Sequence, residues 1–275
     1  MEEPRYLVIP AAGLGTRMRQ AYSDTPKEML PIDGLPAIQY ALQEGLSAGL
    51  KKLVIIISKE KEDIRRYFED KKFRQNMFPH LDEEIHTMIE QCSITFLYQQ
   101  KPLGEADALS LAKDFVGHEV LAVMYPDNIY FPAPGALLVL KSVFGHYKKD
   151  VIALFTVSSA HAEGIGNSGR VRLSHVTGDM YKIEHFYPKG EGYFIPRFRG
   201  ELRACGIFIV HPHIFEYIER ARDSAKTGEF TDIYFRKVML QEQELLGCRL
   251  PGRVYDIGNP KGYELCQHYR NSGRP

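Results

Sequence analysis

The chain of 275 residues has only four cysteines, Cys92, Cys205, Cys248 and Cys266, widely spaced and without a CxxC pair or zinc-ligand spacing. That excludes a disulfide scaffold and reads as reduced thiols in a cytoplasmic protein. An excess of charge is missing too. The 35 basic residues cancel the 35 acidic ones, so no overall field favours nucleic acid or a membrane surface, and partners must be recognised locally. No apolar run approaches the ~20 residues that a membrane helix needs. Met1-Glu2-Glu3-Pro4-Arg5 leads directly into an apolar segment, which leaves no room for a signal peptide. The ten histidines include no HExxH or similar pairing, so a metalloprotease-like site is not indicated. With no internal repeat, low-complexity tract or long linker, the expectation is one domain spanning residues 1–275.

What is present starts with Tyr6-Leu7-Val8-Ile9-Pro10, apolar and partly β-branched, the pattern of a buried strand. At its carboxyl end, where open α/β sheets bind ligands, stands Ala11-Ala12-Gly13-Leu14-Gly15-Thr16-Arg17-Met18. Gly13 and Gly15 suit a backbone that takes positive φ or approaches an anion closely, so that successive N–H groups converge on phosphate oxygens. Arg17 adds a planar fork that matches phosphate. Two familiar loops are excluded: the ATPase loop needs Gly-Lys-Ser/Thr, and the dinucleotide loop needs a third glycine where Met18 stands. On the two glycines alone, a tight turn is an equal reading. A second segment follows in Pro26-Lys27-Glu28-Met29-Leu30-Pro31, too irregular for a regular helix or a central strand. It holds Lys27 in reach of the loop, or else leaves it as a solvated surface lysine.

Periodicity supplies the frame. Ile38, Ala41, Leu42, Gly45, Leu46 and Gly49 share a helical face ahead of the strand-like Leu53 to Ile57, and Ile64, Tyr67 and Phe68 mark a second helix. Residues 71 to 91 read as a polar helical insertion with its charges in solvent, and residues 94 to 98 as a strand. Residues 105 to 115 then read as one helix with Ala108, Leu111, Ala112 and Phe115 at helical spacing along one stripe, and residues 120 to 125 as a strand ending at Asp127. Strands at 151 to 157 and 203 to 210 continue the order, while short strands near 169 to 173 and 180 to 185 suggest a flap or subsheet. Alternating strands and helices imply a mostly parallel sheet covered on both faces. Residues 190 to 200, rich in glycine, proline and mixed charge, are the best candidate for a mobile element.

Two carboxylates end apolar strands, Asp127 in Tyr125-Pro126-Asp127-Asn128 and Asp256 in Val254-Tyr255-Asp256-Ile257-Gly258-Asn259-Pro260. Each is a turn aspartate or a ligand for Mg²⁺, which takes one or two protein carboxylates beside substrate phosphates. Gln99 and Gly104 in Gln99-Gln100-Lys101-Pro102-Leu103-Gly104-Glu105-Ala106 offer an amide that can read a pyrimidine edge and a backbone that can approach it, or simply a helix entry with Glu105 in the first turn.

Taken together, "AAGLGTRM" and "PKEMLP" resemble the signature of the sugar-1-phosphate nucleotidylyltransferases, most closely the bacterial UTP:glucose-1-phosphate uridylyltransferases. "GEFTDI" at 228 to 233 extends the likeness, which runs from residue 6 to about 269. The resemblance implies an α/β, Rossmann-like, mixed but mostly parallel sheet flanked by helices, of the nucleotide-diphospho-sugar transferase type, with a small sugar-side subsheet. It implies a cytoplasmic, Mg²⁺-dependent enzyme that transfers a uridylyl group from UTP to a sugar 1-phosphate, glucose 1-phosphate first among them, giving a UDP-sugar and pyrophosphate, and that assembles as a homo-oligomer. Arg17, Lys27 and Asp127 would be catalytic, with Asp127 and Asp256 holding the metal. Ala11, Ala12, Gly13, Leu14, Gly15, Thr16, Glu28, Gln99 and Gly104 would hold the nucleotide. Asn128, Gly169, Glu184, Lys189 and Gly206 would face the sugar phosphate. One departure stands out: in "IEHFYPKG" His185 replaces the lysine of the family's Glu-Lys-Pro segment, which leaves Lys189 or Lys182 to supply the phosphate charge. The rival readings are an enzyme using dTTP or CTP, and a regulatory homologue that binds nucleotide sugars without turnover. A Rossmann oxidoreductase is disfavoured by Met18 and by the missing acidic residue after Ile57.

Overall fold

The computed structural model describes residues 2–22, 25–224 and 228–272. The strands are β1 (Tyr6–Pro10), β2 (Pro31–Ile32), β3 (Leu35–Pro36), β4 (Lys52–Ile57), β5 (Ser93–Tyr98), β6 (Leu121–Met124), β7 (Asn128–Phe131) and β8 (Val151–Thr156). They are followed by β9 (Val171–Thr177), β10 (Met180–Phe186), β11 (Leu202–Val210), β12 (Leu246–Arg249) and β13 (Arg253–Asp256). A nine-stranded sheet has the order β5-β4-β1-β6-β11-β8-β12-β10-β9, with only β11 and β10 running against the rest.

The sheet runs outward from β1 to β4 and β5, then returns to β1's other side as β6. The strand order therefore reverses beside β1, and the carboxyl ends of β1 and β6 open a crevice at the switch point, the usual ligand position in such sheets. Both sheet faces are apolar because both are covered. Ile38, Leu42 and Phe144 pack on one, and Leu109, Phe215 and Ile218 on the other.

Two short pairings decide the site. β13 runs antiparallel to β7 and sets Asp256 opposite Asn128, which carries a carboxylate from near the chain's end to the neighbour of Asp127. The expected strands near 169 to 173 and 180 to 185 are longer, β9 and β10, and they continue the main sheet through β12 instead of standing apart as a subsheet. The separate small sheets are β13-β7 and β2-β3.

Two other expectations are corrected. Residues 71 to 91 form helices Lys71–Met77 and Glu83–Glu90, but their charges do not all face solvent. Arg74 and His86 are buried, with Arg74 Nε donating to His86 Nδ1 at 2.9 Å and Nη1 donating to the Tyr67 carbonyl at 2.5 Å. A guanidinium that meets several acceptors can be buried where an isolated charge cannot. Residues 105 to 115 are two helices, Glu105–Ser110 and Lys113–Val116. Ala108, Leu109, Ala112 and Val116 are buried while Leu111 and Phe115 lie exposed, so Leu111 and Phe115 do not belong to the buried stripe.

Candidate active site

A cleft of about 460 Å³ lies over the ends of β1 and β6. The glycine loop forms one end of it. Gly15 adopts φ +63°, the left-handed region that favours glycine, whereas Gly13 takes an ordinary φ with no protein atom within 4 Å of where a Cβ would stand. Ala12, Gly13, Leu14, Gly15, Thr16 and Arg17 border the cleft. Ala11 does not; it is buried behind the loop, its N–H donating to the Ile56 carbonyl at 2.7 Å.

The residues that the sequence separated come together here. Lys27 Nζ donates to Asp127 Oδ2 at 2.5 Å. A Cβ added to Gly258 would lie 3.0 Å from Asp127 Oδ2, 2.9 Å from Asp256 Oδ1 and 3.7 Å from Arg17 Nη2. One added to Gly166 would lie 3.1 Å from Asp256 Oδ2 and 3.6 Å from Arg17 Nη1. Glycine at both positions thus lets a guanidinium from the start of a helix (Thr16–Tyr22), a carboxylate from the turn after β6 and one from the end of β13 converge. Asp256 Oδ2 accepts from the Gly166 N–H at 2.9 Å and Oδ1 from the Gly258 N–H at 3.0 Å, which holds that carboxylate in place.

Burial works against the charge of Asp127, but Lys27, its hydrogen bonds and Arg17 outweigh it and hold the carboxyl below its ordinary range. Burial likewise opposes the charge on Lys27, and Asp127, Glu28 and Asp256 together raise its pKa. Both groups are therefore ionised at neutral pH. The donor set, two hard carboxylates converging beside a phosphate-type loop, fits Mg²⁺.

Behind Lys27 lies a pair that sequence reasoning missed. Lys61 is buried, and its Nζ donates to Glu28 Oε1 at 2.9 Å, Glu28 Oε2 at 2.8 Å and the Ala11 carbonyl at 2.8 Å. Glu28 thus ties the loop and the Lys27 turn to the end of β4. The one available signal was the Ser58-Lys59-Glu60-Lys61 turn after an apolar strand, which also reads as a solvated charge run.

Toward the other end, Gln99 Nε2 donates to the Gly104 carbonyl at 3.0 Å and to Asp107 Oδ2 at 2.8 Å. This fixes the amide's orientation. Gly104 has φ +111°, and a Cβ there would come within 2.6 Å of the Phe230 carbonyl oxygen, so glycine is required by close packing as well as by conformation. Glu105 lies beside it, its pKa pushed up to about 7 by burial and by Asp232.

Beyond Asp127, Asn128 Nδ2 donates to Asp127 Oδ1 at 2.7 Å, while the Gly206 N–H donates to Asn128 Oδ1 at 3.1 Å. Gly169, Gly206 and Lys189 line the cleft with them. Glu184 does not. It is exposed, accepts from Ser174 Oγ at 2.7 Å and lies 3.8 Å from Lys182 Nζ. Ile183 is buried, so the alternation of the strand turns Glu184 outward, and a register shift between Ile183 and His185 then lets Phe186 be buried as well. Lys182 leaves the cleft with it, so of the two candidate lysines only Lys189 borders the site. Arg203, which the sequence did not single out, also borders it.

At the start of β8, at the opposite end of the sheet, two histidines do converge. His211 Nδ1 and His213 Nε2 each lie 2.6 Å from a carboxylate oxygen of the buried Asp150. The group could hold a metal, but each contact is already explained as a hydrogen bond. No helix among the described residues is long and apolar enough to cross a membrane.

A model of the nucleotidyl transferase family matches residues 6–270, and the chain belongs to that family. Its curated relatives narrow the likeness: a UTP--glucose-1-phosphate uridylyltransferase of Staphylococcus epidermidis is 29% identical over 271 residues, covering 96% of this chain and 91% of the relative. One from Bacillus subtilis is 28% identical over 269 residues, covering 96% and 89%. Among solved structures, a UDP-glucose pyrophosphorylase complexed with UDP-glucose superposes with a TM-score of 0.82 at 24% identity, covering 98% of this chain and all of that one. A UTP-bound UGPase from Acinetobacter baumannii gives 0.78 at 24% identity, covering 99% and 95%. These two structures share the fold.

Proposed function

We propose that the protein transfers a uridylyl group from UTP to a sugar 1-phosphate, glucose 1-phosphate first among them, releasing pyrophosphate. The observation that carries this reading is the convergence of Asp127, Asp256, Arg17 and Lys27 at the mouth of the glycine loop. A phosphate oxygen of the sugar 1-phosphate attacks the α-phosphorus of UTP. The α–β phosphoanhydride bond breaks, and pyrophosphate leaves with the bonding pair. Both reactants are anions, so the protein's work is to align them and offset their repulsion.

The loop N–H groups, Arg17 and Lys27 bind the triphosphate and receive the charge that develops on the leaving pyrophosphate. Asp127 and Asp256 would hold Mg²⁺, which, when bound, neutralises phosphate charge and favours in-line geometry. Asn128 steadies Asp127 and links it to the Gly206 backbone. Gln99 has its Nε2 committed to Gly104 and Asp107, so it presents its carbonyl oxygen, an acceptor suited to the N3–H of uracil. Lys189 supplies charge for the sugar phosphate.

The reading is tested by pyrophosphate release with Mg²⁺, glucose 1-phosphate and each of UTP, dTTP, CTP, ATP and GTP in turn. Strong release with UTP alone supports it. Release with dTTP or CTP keeps the mechanism and overturns the base, whereas UTP binding without release on any sugar phosphate favours the regulatory homologue. Within the active protein, Arg17→Ala is expected to lower kcat by about 100-fold or more with little change in the affinity for glucose 1-phosphate. An effect confined to the sugar-phosphate KM would remove Arg17 from the leaving-group role.

A further inference from the structure

Of the four buried cations among the described residues, Lys61 lies 2.8 Å from Glu28 and Arg236 Nη2 lies 3.0 Å from Asp232 Oδ2, while Arg74, which has no ion pair, donates to His86 and to the Tyr67 and Phe68 carbonyls away from the cleft. Arg203, only 5% exposed, makes no ion pair among the described residues. Its Nε donates to the Ser168 carbonyl at 2.5 Å and its Nη2 to Ser168 Oγ at 2.9 Å, while Nη1 is buried with no acceptor. The guanidinium packs 5.4 Å from the centre of the Phe155 ring and 6.0 Å from that of Phe194. Desolvating a cation without a counter-charge is costly, by several kcal/mol per ion in proteins, and two aromatic rings return only part of that, about 0.5–2 kcal/mol each.

The place of this charge suggests its partner. Arg203 borders the same cleft as Lys189. Gly169, with φ +71°, passes so close to β11 that an added Cβ would lie 3.2 Å from Arg203 Cγ and Nε, which presses Ser168 against the guanidinium. Ser168 N–H donates to the Gly166 carbonyl at 2.8 Å, and the Gly166 N–H is the one that holds Asp256. The guanidinium is therefore anchored to the wall that carries one of the two converging carboxylates, and is near enough to both Asp256 and Asp127 to feel their charge. Neither carboxylate reaches ion-pairing distance of it, so among the described residues it has no direct counter-charge.

We propose that Arg203 is a specificity-determining residue of the acceptor site: with Lys189 it receives the phosphate of the sugar 1-phosphate and sets its attacking oxygen toward the α-phosphorus. This rests on the nucleotidyl-transfer reading above and deepens it. A phosphate presents several acceptor oxygens to a fork that has unused N–H groups, a match that a lysine's point charge does not provide. Ser168 borders the cleft too, and rotation of its hydroxyl away from Nη2 frees that N–H for a phosphate oxygen. Arg203 touches neither the base-reading amide nor the glycine loop in the described contacts, so its effect falls on the acceptor and not on UTP.

The test is steady-state kinetics of Arg203→Gln and Arg203→Lys with Mg²⁺, UTP and glucose 1-phosphate, with calorimetric binding of glucose 1-phosphate and of UTP measured alongside. Arg203→Gln is expected to raise the KM for glucose 1-phosphate by about tenfold or more and to leave the KM for UTP within about twofold, since an ionic hydrogen bond is lost on one substrate only. Arg203→Lys, which keeps the charge and loses the fork, is expected to recover part of that. Equal losses for both substrates, or a lowered melting temperature with an unchanged KM for glucose 1-phosphate, would make Arg203 a packing residue and overturn the proposal. Should the wild-type protein turn over no nucleotide, the nucleotidyl-transfer reading fails by itself. Binding of glucose 1-phosphate or inorganic phosphate then still decides on Arg203, because equal affinities in wild type and Arg203→Gln overturn it. If Arg203→Gln does not fold, the Arg203→Lys affinities carry the decision, an unchanged value for glucose 1-phosphate counting against the role.

Discussion

Asp127→Ala is expected to lower kcat by roughly 10³-fold or more, because metal-assisted and electrostatic stabilisation of the reacting phosphates is the main catalytic term such a site has to offer. The carboxylate has three roles that no neighbour can take over. It faces Asp256 across Gly258, it neutralises Lys27 at 2.5 Å, and it accepts from Asn128 at 2.7 Å. The fold should tolerate the loss, since the Asp127 side chain opens onto the cleft and water can solvate the Lys27 ammonium left behind. Circular dichroism and the melting temperature should therefore stay close to those of the wild type while turnover collapses. Retention of most activity at saturating Mg²⁺ would sink the assignment. Asp127→Asn sharpens the comparison, because it keeps shape and hydrogen bonding but removes the charge, and it should be almost as inactive.

The second large effect concerns stability. Lys61→Met is expected to cost about 3–5 kcal/mol, the range for removing one partner of a buried ion pair, and to lower the melting temperature on the order of 10 °C. Lys61 and Glu28 are 2% and 1% exposed, so Glu28 would be left charged or forced to take up a proton without its three-point partner. The Ala11 carbonyl would lose its donor as well. Because Glu28 follows Lys27 in one short turn, the damage should spread to nucleotide affinity. The double variant Glu28→Gln, Lys61→Met should recover a large part of the stability, since it removes the orphaned charge. A melting temperature unchanged by Lys61→Met alone would show that water reaches the pair.

Much of the site was legible in the sequence because it is built from local patterns. A β-branched apolar run ending in glycines marks a strand that delivers a loop, and two prolines around Lys27 and Glu28 mark a short irregular turn. Asp127 and Asp256 each follow an apolar run, and Gln99 and Gly104 sit at the entry to a helix. The failures were also physical. Glu184 looked equivalent to a sugar-facing acid until the burial of its neighbour Ile183 in β10 turned it outward, and nothing in "YKIEHF" announces which of its two alternating faces is covered. Arg74 and Lys61 carry charges that normally mean solvent, and only the acceptors they meet, among them the neutral His86 ring and the Glu28 carboxylate, allow burial.

The sequence by itself determined the alternation of strands and helices, the phosphate-type loop and the set of charged groups, because hydrophobic period and glycine or proline placement act over a few residues. The tertiary structure decided which of those groups meet. The antiparallel pairing of β13 with β7 brings Asp256 to Asp127, the path of the chain after β10 leaves Lys189 bordering the cleft and Lys182 outside it, and the packing of β11 buries Arg203 with no ion pair among the described residues. Each of these depends on register and packing between segments far apart in the chain, and a side chain's electrostatic role follows from its neighbours in space.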